Sequence, residues 1–305
     1  MATPLMSETD IFDRRLLDAR RRRHAGDPDS QGARFLLRAV AAELAERLSL
    51  VDRRFDLAVD LGGHTGEMAE ALAAGGQVET ILRVERDPAL LAGGGEGVLR
   101  VVGDEEALPI GVDLADLIVS TLSLHLTNDT PGAIVQARRA LKPDGLFLAA
   151  ALGGDTLTEL RASLLAAETE IFGGASPRIA PFIDIRDAGG LLQRAGLALP
   201  VVDQDRIMVR YASAFELMRD IRQMGMANMM RQRLRRPATR RLFLRAAEIY
   251  AARFSDPDGR VRATFDVVYL SGWKPHESQQ KPLKPGSAKA SLADALNDRS
   301  GRSGA

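Results

Sequence analysis

Cysteine is absent from the 305 residues. That excludes a disulfide framework, a thiolate nucleophile, cysteine-ligated zinc and cysteine-ligated iron–sulfur clusters, and it fits a reducing, cytoplasmic setting. No run of 18 apolar residues exists, so no membrane-spanning helix is expected. The longest apolar stretch, Gly145–Leu152, has the length of a buried strand. Charge of one sign is not in excess: 41 Lys and Arg balance 41 Asp and Glu. A neutral chain does not suit bulk phosphate-backbone binding, which is driven by counterion release. The N-terminus lacks the apolar core of a secretory signal. Its arginine-rich stretch from Arg14 to Arg23 is interspersed or flanked by Glu8, Asp10, Asp13 and Asp18, unlike an acid-poor transit peptide. The segment reads as part of the mature protein. What is present is ordinary globular composition, 45% hydrophobic and 27% charged. A chain of this length can bury roughly 75% of its unfolded surface without staples.

Leu37, Val40, Leu44 and Leu48 recur at helical spacing and predict an amphipathic helix over 34–49, within an N-terminal helical segment 1–50. Short apolar, β-rich runs follow at 56–61, 80–85, 98–103, 116–121 and 146–152. Helix-like stretches lie between most of them, with at most a short one at Pro88–Ala92. Such alternation predicts an α/β fold with a mostly parallel sheet covered on both faces. A further helix is expected over 156–172 with Leu157, Leu160, Leu164 and Leu165 inward, then a short one over 187–195 stopped by Gly196. Two strand-like runs, 201–211 and 263–272, flank a helical insertion at 213–260. The tail is 273–305, and the core domain 51–272.

The most informative stretch is Asp60-Leu-Gly-Gly-His-Thr-Gly66, leaving a strand and entering a helix at Glu67. Glycines there allow a tight turn and close approach of a ligand. The following helix offers unpaired N–H groups to a pyrophosphate or a carboxylate. The dinucleotide pattern G-x-G-x-x-G fails, because His64 stands at its second glycine and Glu67 at its third. A ligand-free strand–helix turn is the plainer alternative.

The stretch resembles the first motif of class I S-adenosylmethionine (SAM) methyltransferases, D-x-G-x-G-x-G, through Asp60, Gly62 and Gly66, with Gly63 adding freedom; His64 replaces the middle glycine. Glu85 ends the second strand, 19 residues beyond Gly66, where a carboxylate accepts ribose hydroxyls. Asp104, followed by Glu105, matches the family's G-D-x-x-x-L-P segment, whose acid faces the adenine. Leu141-Lys-Pro-Asp-Gly145 and Leu191-Leu-Gln-Arg-Ala-Gly196 resemble two further family turns, so the likeness covers about 50–272. It implies a Rossmann-like seven-stranded, mostly parallel sheet and SAM as cofactor.

Segments outside the loop are more specific. Ile11–Leu17, Ser120–Asp129, Gly153–Leu160, Phe215–Asp220 and Gly272–Gln280 resemble bacterial relatives of the mitochondrial NADH:ubiquinone oxidoreductase complex assembly factor 5, and, less closely, the malonyl-acyl-carrier-protein O-methyltransferases. The resemblance implies a SAM-binding, methyltransferase-type protein in respiratory complex I assembly. It leaves open hydroxylation of an arginine on an iron–sulfur subunit of complex I, a non-catalytic assembly chaperone, and methylation of a carboxylate on acyl carrier protein.

His125, after the fourth strand, and Asp155, after the fifth, are the candidate catalytic residues, since ligands of such sheets sit beyond the carboxyl strand ends. His125 would orient a substrate, act as base or ligate a metal, or else simply pack. Asp155, with Glu159 one turn on, would meet a cationic substrate, or else stabilise a helix start. With His276, near Glu277 and Trp273, they would complete a two-His-one-carboxylate set. Five of nine methionines lie at 218–230, and six arginines at 231–241, a composition suited either to a core helix or to a lid or docking face. The Arg20–Arg23 run reads as a solvated helix face.

Overall fold

The computed structural model describes residues 10–279. Residues up to Pro275 form one compact unit and a second begins at His276. The chain opens with two helices, α1 (Arg14–Ala25) and α2 (Phe35–Ser49). It then alternates through β1 (Phe55–Leu61), α3 (Glu67–Gly75), β2 (Val78–Glu85), β3 (Leu99–Val102), β4 (Ala115–Thr121), α4 (Thr130–Ala140) and β5 (Leu141–Leu152). The remainder is α5 (Thr158–Phe172), α6 (Ile185–Arg194), β6 (Ala198–Tyr211), α7 (Ala214–Gln223), α8 (Arg240–Phe254) and β7 (Val261–Trp273). Side-chain caps fix where several helices begin: Asp13, Asp129, Asp184, Ser213 and Thr239 each accept from a backbone N–H in the first turn.

The strands form one seven-stranded sheet, order β3-β2-β1-β4-β5-β7-β6. The five from β3 to β5 pair in parallel, while β7 runs antiparallel to both β5 and β6. The parallel part is what the alternation of short apolar runs predicted, and the seven-stranded order is the class I methyltransferase arrangement that the motif resemblance implied. β4 is buried along its whole length, as a strand covered on both faces must be. One face packs on α2, α3, α5, α7 and α8; the other packs on α4 and α6. A third, smaller cluster joins Phe12 and Leu17 from the N-terminus to Leu126 beyond β4, Ala180, Met229 and Met230.

Several expectations need correction. In α2 the core positions are Leu36, Val40, Leu44 and Leu48, with Leu37 only half-buried. In α5 the inward stripe is Leu160, Leu164 and Ala167, and Leu165 points out, because it lies about 100° from Leu164 around the helix. At Pro88–Ala92 the short element expected is a single 3-10 turn, Leu90–Ala92. The insertion is two helices separated by an irregular segment from 224 to 239. Its five methionines divide: Met229 and Met230 are core, while Met218, Met224 and Met226 are partly exposed. The Arg20–Arg23 run is a solvated face only in part: Arg22 and Arg23 are exposed, whereas Arg21 is buried and Arg20 donates to the carbonyls of Ala227 and Asn228.

Candidate cofactor crevice

The strand order reverses between β1 and β4, and the crevice of an open α/β sheet lies at that switch, beyond the carboxyl ends. The loop from Gly62 to Gly66 leaves β1 there. Gly66, at φ +107°, precedes the first turn of α3, a conformation L side chains rarely adopt. At Gly63 a Cβ would stand 2.0 Å from Asp60 Oδ2, so only glycine fits over that carboxylate. Asp60 is wholly buried, and neither of its oxygens has a hydrogen-bond partner. Arg83 Nε lies 3.7 Å away. Burial nevertheless dominates and pushes the Asp60 carboxyl up to about 7.

Arg83 is the organiser of this loop, and the sequence motifs did not point to it. It is fully buried in β2 and donates to the carbonyls of His64, Leu90 and Gly93, tying the loop after β1 to the turn after β2. Its one sequence signal is a charge inside an apolar strand, Leu82-Arg83-Val84, which demands buried acceptors.

The acids stand at successive strand ends. Glu85 closes β2 and accepts from the backbone N–H of His64 (3.2 Å) and of Arg86 (2.8 Å). Two accepted bonds leave a carboxylate with free lone pairs. Burial, followed by the charge of Glu105, raises its pKa. Asp104 is partly exposed, whereas Glu105 is buried, with Ser123 Oγ donating to it at 2.5 Å. Burial alone would raise Glu105, but Arg14 and Arg86, with the Ser123 bond, outweigh it and lower its pKa. Arg14 of α1 reaches Asp104, Glu105 and Glu106 at 2.7, 2.5 and 2.5 Å. Arg86 pairs with Asp18, Arg22 with Asp87, and buried Arg21 feels the charges of Glu85 and Glu105. The N-terminal helix is thus strapped over the acids expected to hold ribose and adenine.

His64 departs from the glycine pattern in a specific way. It sits at φ +48°, and its Nε2 bonds the carbonyl of Leu122, itself at φ +51°, at 3.1 Å. A carbonyl only accepts, so Nε2 carries the proton, and burial holds the imidazole neutral by lowering its pKa. The ring therefore bridges the loops after β1 and β4 across the switch point. The space left beside it, lined by Arg21, Leu37, Thr65, Leu90, Leu122 and Met226, is a cavity of about 70 Å³. Pockets that enclose cofactor-sized ligands run from roughly 300 Å³ upward. The donor set suits an adenosyl amino acid: a glycine cradle, a buried carboxylate without a hydrogen-bond partner, and carboxylates at the ends of β2 and β3.

His125 is buried against Phe182, ring centroids 5.8 Å apart. The backbone N–H of Leu152 donates to its Nδ1 at 3.3 Å, which places the proton on Nε2. Burial, followed by the Arg21 charge, brings its pKa down to about 3. His125 is therefore neutral and presents Nε2–H, which has no partner in the structure. In this arrangement it is a hydrogen-bond donor. Asp155 is exposed and pairs with Arg206 of β6 at 2.5 Å, outside the crevice. His276 bonds Ser278. Among the described residues no three His, Cys, Asp or Glu side chains gather to hold a metal.

Comparison with known proteins agrees with this arrangement. A methyltransferase domain model matches residues 59–149, the span from β1 through β5. The arginine hydroxylase NDUFAF5, mitochondrial, of Homo sapiens is 41% identical over 290 residues, covering 93% of this chain and 83% of that protein. The malonyl-[acyl-carrier protein] O-methyltransferase of Laribacter hongkongensis is 31% identical over 270 residues, covering 83% and 88%. The solved YcgJ protein of Bacillus subtilis shares the fold at TM-score 0.54 and 16% identity, covering 76% and 98%. No helix among the described residues is long and apolar enough to cross a membrane.

Proposed function

Because this chain belongs to the family of the arginine hydroxylase NDUFAF5, we propose that it is a SAM-binding enzyme that modifies an arginine side chain of a protein partner. The partner that fits is the iron–sulfur subunit of respiratory complex I implied by the sequence resemblance. The observation that carries cofactor binding is the order of acids, Asp60, Glu85 and Asp104–Glu105, following β1, β2 and β3 around the Gly62–Gly66 turn. Gly63, Gly66 and the start of α3 would cradle the amino-acid part, Glu85 the ribose, and Asp104 or Glu105 the adenine.

When bound, SAM supplies an electrophilic sulfonium. The chain's own contribution is to align the acceptor and exclude water. His125 Nε2–H is an unpartnered donor just beyond β4, and it would hold an acceptor oxygen or the carbonyl of an incoming peptide without taking its proton. Asp155 is not given a catalytic part, since Arg206 already occupies it.

Two measurements test this reading. Titration calorimetry with SAM should show binding that Glu85→Ala abolishes; no binding to the wild type leaves only a non-catalytic assembly role. Mass spectrometry of the complex I subunit from cells with and without this protein then defines the chemistry. A gain of about 16 Da marks an oxygen atom, as for the NDUFAF5 relatives, and about 14 Da a methyl group.

A further inference from the structure

A groove of about 890 Å³ lies between α5, α7 and α8, separate from the cofactor crevice. Its floor is apolar: Leu160 and Leu164 from α5, Phe215 and Met218 from α7, Phe243 and Leu244 from α8. Phe215 and Leu244 are 44% and 43% exposed, so the floor is open to solvent. The rim is cationic and no acid lines it; Arg219 and Arg222 flank one side and Arg240 the other. Among the described residues, the guanidinium groups of Arg222 and Arg240 have neither an ion pair nor a hydrogen bond.

We infer that this groove docks an acidic amphipathic helix of a protein partner, with apolar side chains on the floor and carboxylates against Arg219, Arg222 and Arg240. Three features select that occupant. The apolar floor is bordered by three helices, α5, α7 and α8, whose side-chain ridges form grooves of the kind into which another helix packs. The free cations stand on separate helices along the rim instead of converging on one point, as a small anion would require. Met218 gives the floor a flexible, polarizable side chain that adapts to the incoming one. Unsatisfied guanidinium groups beside an apolar floor are complemented by carboxylates, and like-charged partners are repelled.

The inference deepens the protein-partner reading by naming the chemistry of the docking element. It is measured without SAM, so failure of one is distinguishable from failure of the other. The probe is a fluorescein-labelled designed helical peptide with leucines on one face and glutamates on the other, compared with the same peptide carrying lysines. Fluorescence anisotropy with the full chain should show binding of the glutamate peptide that weakens with added salt. The double variant Arg222→Glu/Arg240→Glu should bind it about tenfold less and should gain affinity for the lysine peptide, with an unchanged melting temperature. Phe215→Ser should weaken the glutamate peptide alone. Equal binding of both peptides, no binding of the glutamate peptide, or oleate filling the groove in its place would each overturn the inference.

Discussion

Replacing Arg14 by alanine removes the one cation shared by Asp104, Glu105 and Glu106, at 2.5–2.7 Å from each. Arg14 is only 9% exposed, so its carboxylate partners lose a nearly dry counter-charge. Arg86 remains, 3.5 Å from Glu105, but it also serves Asp18. Breaking a buried pair typically costs about 3–5 kcal/mol. Asp104 and Glu106 are 32% and 23% exposed and regain water, which favours the lower end, about 3 kcal/mol. For a chain of this size that lowers the melting temperature by roughly 5–10 °C. The pH dependence gives the cause away. Glu105 has a folded pKa below its unfolded value, so its contribution is complete above about pH 4.3 and is lost as pH falls through the folded value. The gap between wild type and Arg14→Ala should be widest near neutrality and close as the solution is acidified below about pH 4. Thermal melts from pH 3 to 8 by circular dichroism measure it. Arg14→Lys should fall between the two, since an ammonium is a point charge and not a fork. A gap of under about 1 °C, or one that does not change with pH, refutes the reasoning.

The remaining expectations are of the same kind. His64→Gly breaks the bond to Leu122 and relieves a side chain at φ +48°, so its stability change should stay within about 2 kcal/mol while SAM affinity rises; unchanged or weaker binding in calorimetry shows that the imidazole does not obstruct the cofactor. Asp60 has a pKa raised from 3.8 to about 7, so the native state retains its proton longer than the unfolded chain. Stability from this group is therefore greatest below about pH 4 and declines by roughly 4 kcal/mol as pH rises to 7. Asp60→Asn should flatten that slope in urea titrations, and an identical slope would place the charge elsewhere. Arg83→Met should unfold the loop at Gly63–Gly66, seen as fast amide exchange through α3; protection equal to wild type would show that the carbonyls of His64, Leu90 and Gly93 do not depend on it.

Much of the fold was legible because a parallel sheet covered on both faces writes short apolar runs into the chain, as in Val119 and Phe147, and turns write glycine between them. Asp60, Gly63, Gly66 and Glu85 were legible for the same reason: each is local to a strand end. Arg14 was not, because its partners are about 90 residues away and nothing local separates a buried arginine from its solvated neighbour Arg15. Leu165 was misplaced because two adjacent leucines on a helix offer a choice that only the packing of α5 on α8 decides. Which nitrogen of His125 carries the proton depended on a single backbone N–H, Leu152, which only the pairing of β4 with β5 brings near. His64 was visible as an exception, but its contact with Leu122 spans 58 residues.

Arg20 and Arg21 are adjacent on α1, yet one borders the groove between α5, α7 and α8 and the other borders the small cavity beside His64. A displacement of that helix would reach both places at once. If the proposed guest and the proposed nucleotide each depend on the position of that helix, thermodynamic linkage requires each to change the other's affinity by the same factor.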